Sequence, residues 1–195
     1  GADWTEYSGH RPQDGTGDVF FHLDALWASP AVGFIGIDNY MPVSDWRDGS
    51  QHSDLLAGHA SIYDPDYLKA NIAGGEGFDW FYRNEAERAA QIRTAITDGA
   101  HGKPWVFRVK DLRGFWSNAH FDRPGGVERA APTAFVPRSK PIWFTEAGCA
   151  AVDKATNEPN AFIDAKSAET LLPRFSSGGR DDLIQNRYVT VLSQY

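Results

Sequence analysis

The sequence predicts an α/β protein built on a short parallel sheet. Three observations carry this. Short apolar runs led by Gly or Pro end in polar clusters, as parallel strands do where they open into loops. Helix-favouring stretches with Asn or Asp caps alternate with those runs. Pro and Gly, 11 and 19 of them in 195 residues, punctuate the chain too often for a helical bundle.

Taken in order, Ala2-Asp3-Trp4 reads as a strand stub. Asp18 is placed to cap a helix through Ala28, with Phe20, Phe21, Leu23, Ala25, Leu26 and Trp27 as its apolar surface. Residues 33–38 form an apolar run closing in Asp38-Asn39-Tyr40, the pattern of a buried parallel strand. Asn84 caps a Glu- and Ala-rich helical stretch through Arg93. Residues 105–109 are a further strand candidate with one polar face, because Arg108 and Lys110 alternate with apolar residues. Residues 140–146 repeat the earlier design, with Pro141 leading a short apolar run into Glu146. Asp181 or Asp182 opens a terminal helix through about Leu192. Its stripe of Leu183, Ile184, Tyr188, Val191 and Leu192 predicts a face packed on a sheet. Residues 42–72 and 112–137 exceed ordinary connections, and long loops in α/β proteins carry function.

Composition narrows the function. A net charge of −7 argues against direct nucleic-acid binding across the surface. The single Cys149 makes neither an internal disulfide nor a Cys-based zinc cluster. No apolar run approaches the roughly 20 residues that span a bilayer, so no membrane partner is expected. Gly1-Ala2-Asp3-Trp4 carries no signal-peptide pattern, and a start without Met reads as a processed or excised piece of one domain. The 7 Trp are the outstanding number, several beside charge, as in Asp45-Trp46-Arg47 and Asp79-Trp80. Indole rings serve cores by default, and sugar-stacking surfaces as the alternative. Trp4 and Trp143 fall in strand candidates and read as core or cleft wall. Trp46, Trp80 and Trp116 fall in loops and are the stacking candidates.

Ligands of parallel α/β folds bind at the carboxyl ends of the strands. The polar residues placed there are Asp3, Glu6, Asp38, Asn39, Tyr40, Arg108, Lys110 and Glu146. Glu146 stands out, because burying a carboxylate costs several kcal/mol unless it is paired. It reads either as a salt-bridge partner at the sheet edge or as a rigidly held nucleophile or general base. Tyr40 can donate a hydrogen bond to a neighbouring carboxylate and keep it ionised. Asp38 reads equally as a site residue or as a cap of the following loop. Gly74-Gly75-Glu76-Gly77 lacks the Lys-Ser/Thr ending of a phosphate loop. Its Glu76, with Asp79, lines a cleft or supplies first-turn helix acids. Asp45, Asp48, His52 and Asp54 cluster within ten residues as a weak metal-site candidate, and no Gly-x-Ser-x-Gly elbow is present.

Several longer strings carry a resemblance: Ala2-Asp3-Trp4-Thr5-Glu6-Tyr7, Ile37-Asp38-Asn39-Tyr40-Met41-Pro42, Gly77-Phe78-Asp79-Trp80, Ile142-Trp143-Phe144-Thr145-Glu146-Ala147 and Arg180-Asp181-Asp182-Leu183. These strings, within residues 2–7, 36–49, 74–80, 140–149 and 180–185, resemble the TIM-barrel-like domain of gene transfer agent tail proteins, phage-tail-like components of particles that package bacterial DNA. That domain in turn resembles retaining glycoside hydrolases of the barrel fold. The resemblance implies the later part of a (β/α)8 barrel, about strands 5 to 7, with long loop insertions. Residues 140–148 then correspond to the seventh strand, and Glu146 inherits the nucleophile role. Asp38-Asn39-Tyr40 ends the sixth strand, where a Tyr commonly contacts the nucleophile, and Asp3-Trp4 ends the fifth. In that pattern the acid/base Glu lies before Gly1 and the eighth strand after Tyr195. Unless Glu6, Glu76 or Asp38 substitutes, the expected second carboxylate of a retaining pair, about 5–5.5 Å from the first, is outside the chain.

The implied function is cleavage of a bacterial cell-envelope glycan, peptidoglycan or surface polysaccharide, by a particle tail made in the bacterial cytoplasm. Glu146, Tyr40 and Asp38 form its catalytic set. Asp3, Trp4, Glu6, Asn39, Trp46, Glu76, Trp80, Arg108, Lys110 and Trp116 hold substrate. No cofactor and no metal are implied. Other tail proteins are the expected partners, and open sheet edges predict self-association into a homo-oligomer. The competing reading is a non-catalytic glycan-binding or structural tail module, since fold does not fix function.

Overall fold

The computed structural model describes residues 1–195. The chain divides into two compact units, Gly1–Asn39 with Thr97–Glu146, and Tyr40–Ile96 with Ala147–Tyr195.

The first unit carries a three-stranded sheet of β1 (Ala2–Asp3), β2 (Ile35–Asn39) and β5 (Ile142–Ala147), with β2 in the centre. β1 runs parallel to β2, pairing Ala2 with Ile37 and Asp3 with Asp38. The Ile35 N–H donates to the Pro141 carbonyl at the start of β5, and Thr145 bonds Asp38 near its end, so β5 runs the same way. Ile35 and Ile37 are fully buried, each contributing about 1.5–3 kcal/mol of apolar transfer. β5 departs from the expected buried strand. Trp143 is 55% and Phe144 44% exposed, one on each face. Trp143 is therefore no core residue. Its ring stacks on Phe34 at 4.3 Å and leaves its other face open.

Two expected elements of this unit are replaced. The helix predicted from Asp18 starts only at α1 (Asp24–Ala28). Upstream, Val19 and Phe20 make bridges to Arg123 and His10, and Asp18 accepts from the Gly125 N–H instead of capping a helix. The strand predicted over 105–109 is a single 3-10 turn, Pro104–Phe107. Pro104 fixes φ in the helical range at its first position, and a run this short has no decisive period. Arg108 and Lys110 thus follow a turn rather than end a strand. The turn puts Trp105 beside Phe21 and His120. α5 (Leu112–Ser117) follows, capped by Asp111, whose carboxylate accepts from the Gly114 N–H at 2.7 Å.

The second unit is mainly helical. It contains α2 (Ser53–Leu56), α3 (Pro65–Ala70), α4 (Glu85–Ala89) and α6 (Asp182–Ser193), with a two-stranded hairpin of β3 (Trp80–Phe81) and β4 (Thr94–Ala95). The expected caps hold. Asn84 accepts from Glu87 N at 2.9 Å, and Asp181 from Ile184 N at 3.0 Å. α4 is shorter than its propensity implies, because Gln91 turns into the left-handed region at φ 51°. The buried stripe of α6 is Ile184, Tyr188 and Val191. It packs on Val43, Tyr67, Leu68, Cys149 and Ala155, from α3 and loops, and not on a sheet. Leu183 is exposed.

Candidate functional site

The carboxyl ends of β1, β2 and β5 gather Asp3, Asp38, Asn39, Thr145 and Glu146 in the first unit. Side chains alternate along a strand, so the sheet has two chemically different faces here. On one face Thr145 Oγ1 donates to Asp38 Oδ1 at 2.6 Å. Gly36 lies between them and the strand start. A Cβ there would meet the Thr145 methyl at 3.1 Å, so glycine is what lets β1 and β5 close over β2. The other face carries Ile35, Ile37 and the buried Asn39 on β2, and Phe144 and Glu146 on β5. Glu146 is exposed near the carboxyl end of β5. Two residues of the expected catalytic set, Asp38 and Glu146, therefore lie on opposite faces of the sheet. Glu146 shares a face with Asn39, while Asp38 lies opposite with Thr145.

The turn after β1 engages Asp3. Its Oδ1 accepts from the Thr5 N–H at 2.8 Å and the Thr5 hydroxyl at 2.6 Å, an Asx turn. Its carbonyl accepts from Glu6 N and Tyr7 N. Glu6 is exposed and Trp4 half-buried. Lys110 is buried and Arg108 half-buried.

In the second unit the sequence-singled residues build a closed polar core. Asp45 accepts from the Tyr82 hydroxyl at 2.6 Å and from Arg93 at 2.8 Å, and pairs with Arg47 at 2.7 Å. Asp54 accepts from Arg93 at 2.9 Å and from the Tyr67 hydroxyl at 3.0 Å. Two carboxylates and two guanidiniums balance, as buried charges require. Burial lowers the Arg93 pKa, but its hydrogen bonds to Asp45 and Tyr82 and the charge of Asp54 outweigh it, and the net shift is upward. Burial, reinforced by the bond to Asp45, pushes the Tyr82 hydroxyl up to about 12. With these oxygens on arginine and tyrosine, no group of three or more His, Cys, Asp or Glu is placed to hold a metal ion.

The glycine-rich string is explained by its turn. A Cβ on Gly74 would stand 2.4 Å from the Ala70 carbonyl oxygen. Asp79 accepts from the Gly75 N–H at 2.8 Å, so it closes the turn rather than starting a helix. The turn aims Glu76 at Arg88, which donates to both carboxylate oxygens at 2.9 and 2.7 Å. Trp46 is half-buried with its ring against His52 and Tyr67. Arg93 sits 4.2 Å from the Trp80 ring centre. Both indoles belong to this packed network, whereas Tyr40 meets Phe162 edge-on at 5.5 Å. Trp116 differs. Its Nε1–H donates to the Lys140 carbonyl at 2.8 Å while the ring lines an open cavity.

Sequence reading missed Thr145, the buried pair His120 and Asp24, and the arginines beside Trp116. Thr145 could have been found from its place directly before Glu146. His120 with Asp24, and Arg138 with Trp116, are brought together from far apart in the chain, while Arg113 lies one helical turn before Trp116 on α5.

The family model of the GTA TIM-barrel-like domain matches residues 1–195. The chain belongs to the gene transfer agent TIM-barrel-like domain family. A comparison with curated proteins returns no match. In this chain the three-stranded sheet is formed by β1, β2 and β5, with Glu146 near the carboxyl end of the last. No helix is long and apolar enough to cross a membrane.

Proposed function

We propose that this domain acts on a bacterial cell-envelope glycan as part of a gene transfer agent tail, with Glu146 as the nucleophile of a retaining glycoside hydrolase. The observation that carries the reading is Glu146 itself. It is an exposed carboxylate near the carboxyl end of a parallel strand, the end where ligands of such sheets bind. Asn39 on the neighbouring strand shares that face and is buried there. Attack on the anomeric carbon needs a second carboxyl group as acid/base. Glu76 is held bidentately by Arg88, and Asp38 lies on the opposite sheet face. Glu76 is thus engaged by Arg88 and Asp38 by Thr145, and neither stands as a free acid.

The test is Glu146→Gln in the full-length protein, assayed on purified peptidoglycan and on surface polysaccharide. Loss of cleavage by about 10³-fold or more is expected of a nucleophile. Undiminished cleavage would refute the assignment.

The same engagement of Glu76 and Asp38 favours a second reading, a tail module that binds glycan without turnover. Binding by both wild type and the Glu146→Gln variant, with no hydrolysis by either, would select it.

A further inference from the structure

The start of β5 carries a cavity of about 380 Å³ within the first unit, lined by Leu112, Arg113, Trp116, Ser117, Arg138 and Ile142. Ile142 opens β5, and Glu146 lies about 13 Å further along it at the ordinary strand rise. The cavity is thus at the opposite end of the strand from the proposed nucleophile.

Its lining mixes apolar and polar groups. Leu112, Ile142 and the half-buried Trp116 ring supply the apolar surface. Arg113 and Arg138 supply two guanidiniums, and Ser117 a hydroxyl. Neither arginine forms an ion pair, although the chain has an excess of acids and a net charge of −7. Arg88, Arg93 and Arg123, by contrast, are all paired. Arg138 is also held in place. Its N–H donates to the Trp116 carbonyl at 2.9 Å, and its guanidinium lies 5.8 Å from the Trp116 ring centre. Its φ of 59° is a left-handed conformation that non-glycine residues rarely adopt. The indole is fixed from behind by its bond to Lys140.

We propose that this cavity is a binding subsite for an acidic sugar residue, a pyranose bearing a carboxylate or a phosphate. The apolar face of the ring lies on Trp116, and the acid group is taken by Arg113 and Arg138. A guanidinium fork matches both carboxylate and phosphate oxygens. A volume of a few hundred cubic ångströms suits one small ligand. The sugar half of the assignment rests on the glycan role proposed above, while the anionic half rests on the two unpaired cations. Placed away from Glu146, the subsite would anchor an acidic glycan without taking part in bond cleavage.

The experiment is titration calorimetry of the full-length protein with four probes: an oligogalacturonate, a hexose phosphate, a neutral oligoglucan and inorganic phosphate. The expected result is binding of the oligogalacturonate or the hexose phosphate. The stronger of these two identifies the acid. Arg113→Gln/Arg138→Gln should weaken it about tenfold or more, and rising salt should weaken it in parallel. Both arginines are exposed, so the melting temperature should be kept. Trp116→Phe keeps a stacking ring and should retain part of the affinity. Binding should also survive Glu146→Gln, which separates failure of this proposal from failure of the hydrolase reading. Affinity for the neutral oligoglucan or for inorganic phosphate equal to that for the preferred acidic sugar, no binding of either acidic sugar, or binding indifferent to the double substitution would each overturn the proposal.

Discussion

Thr145 donates its hydroxyl to Asp38 across the β2–β5 pair, 2.6 Å from oxygen to oxygen. The bond locks the last residues of two parallel strands together on the face away from Glu146. Thr145→Val keeps the β-branched shape and removes the donor. It should cost about 1 kcal/mol in urea unfolding and leave glycan cleavage within severalfold of wild type. A collapse of activity as deep as that of Glu146→Gln would place Asp38 in the chemistry after all.

His120 and Asp24 form the buried polar centre of the first unit. Nδ1 lies 2.9 Å from Asp24 Oδ2, Nε2 bonds the Phe115 carbonyl at 2.8 Å, and Thr133 donates to Asp24 as well. Phe135 and Phe21 stack on the two sides of the imidazole, at 4.0 and 4.4 Å. Removing either partner strands a polar group in an aromatic box. His120→Ala and Asp24→Ala should each cost about 3–5 kcal/mol, a fall in Tm of roughly 10 °C. Strong non-additivity of the double variant is expected, and additive losses would contradict the pairing.

Acid should unfold the protein through a few identifiable carboxylates. Burial raises the Asp153 pKa, but Lys154, the Ser177 N–H and the Ser176 hydroxyl outweigh it and hold the group well below the usual carboxylate range. For Asp98, burial is outweighed by the Lys103 N–H and Arg123, and for Glu128 by Lys103 and Arg123, so both are lowered too. Folded values below unfolded ones mean that this stability is complete above about pH 4.5 and is lost as pH falls through the depressed folded values. Urea melts of wild type and Asp153→Asn between about pH 5 and pH 2 provide the check. The variant should start less stable and lose less on acidification. Parallel curves would remove Asp153 from the account.

Cys149 offers a probe of opening. It is buried, and burial, helped by the charge of Asp181, pushes its thiol up to about 12. The thiolate is the reactive form, so a thiol reagent should label native protein at least about 100-fold more slowly than a free thiol at pH 8. Labelling should reach the free rate in denaturant. Rapid native labelling would show that the packing of α6 on this residue opens readily.

Much of the local structure was legible in the residues. Asn84 and Asp181 were readable as caps because capping is a contact between neighbours in sequence. The strands ending at Asp38 and Glu146 were readable because short apolar runs closing in polar residues suit a parallel sheet. The 3-10 turn at Pro104–Phe107 was not, since Trp105 is placed by Phe21 and His120, far away in the chain. The start of α1 was missed for the same reason. Residues 19 and 20 make long-range bridges that outweigh local helix propensity.

The 7 Trp show the division most clearly. By itself the sequence determined the family, the parallel strands and Glu146 as the carboxylate at a strand end. These follow from patterns a few residues long. Only tertiary structure decided what each polar and aromatic residue is used for. It gave Trp46 and Trp80 to a packed ion-pair network, Glu76 to Arg88, and left Trp116 beside two unpaired arginines. The physical reason is that a buried charge or an indole ring is defined by its partners, and those partners are chosen by the fold.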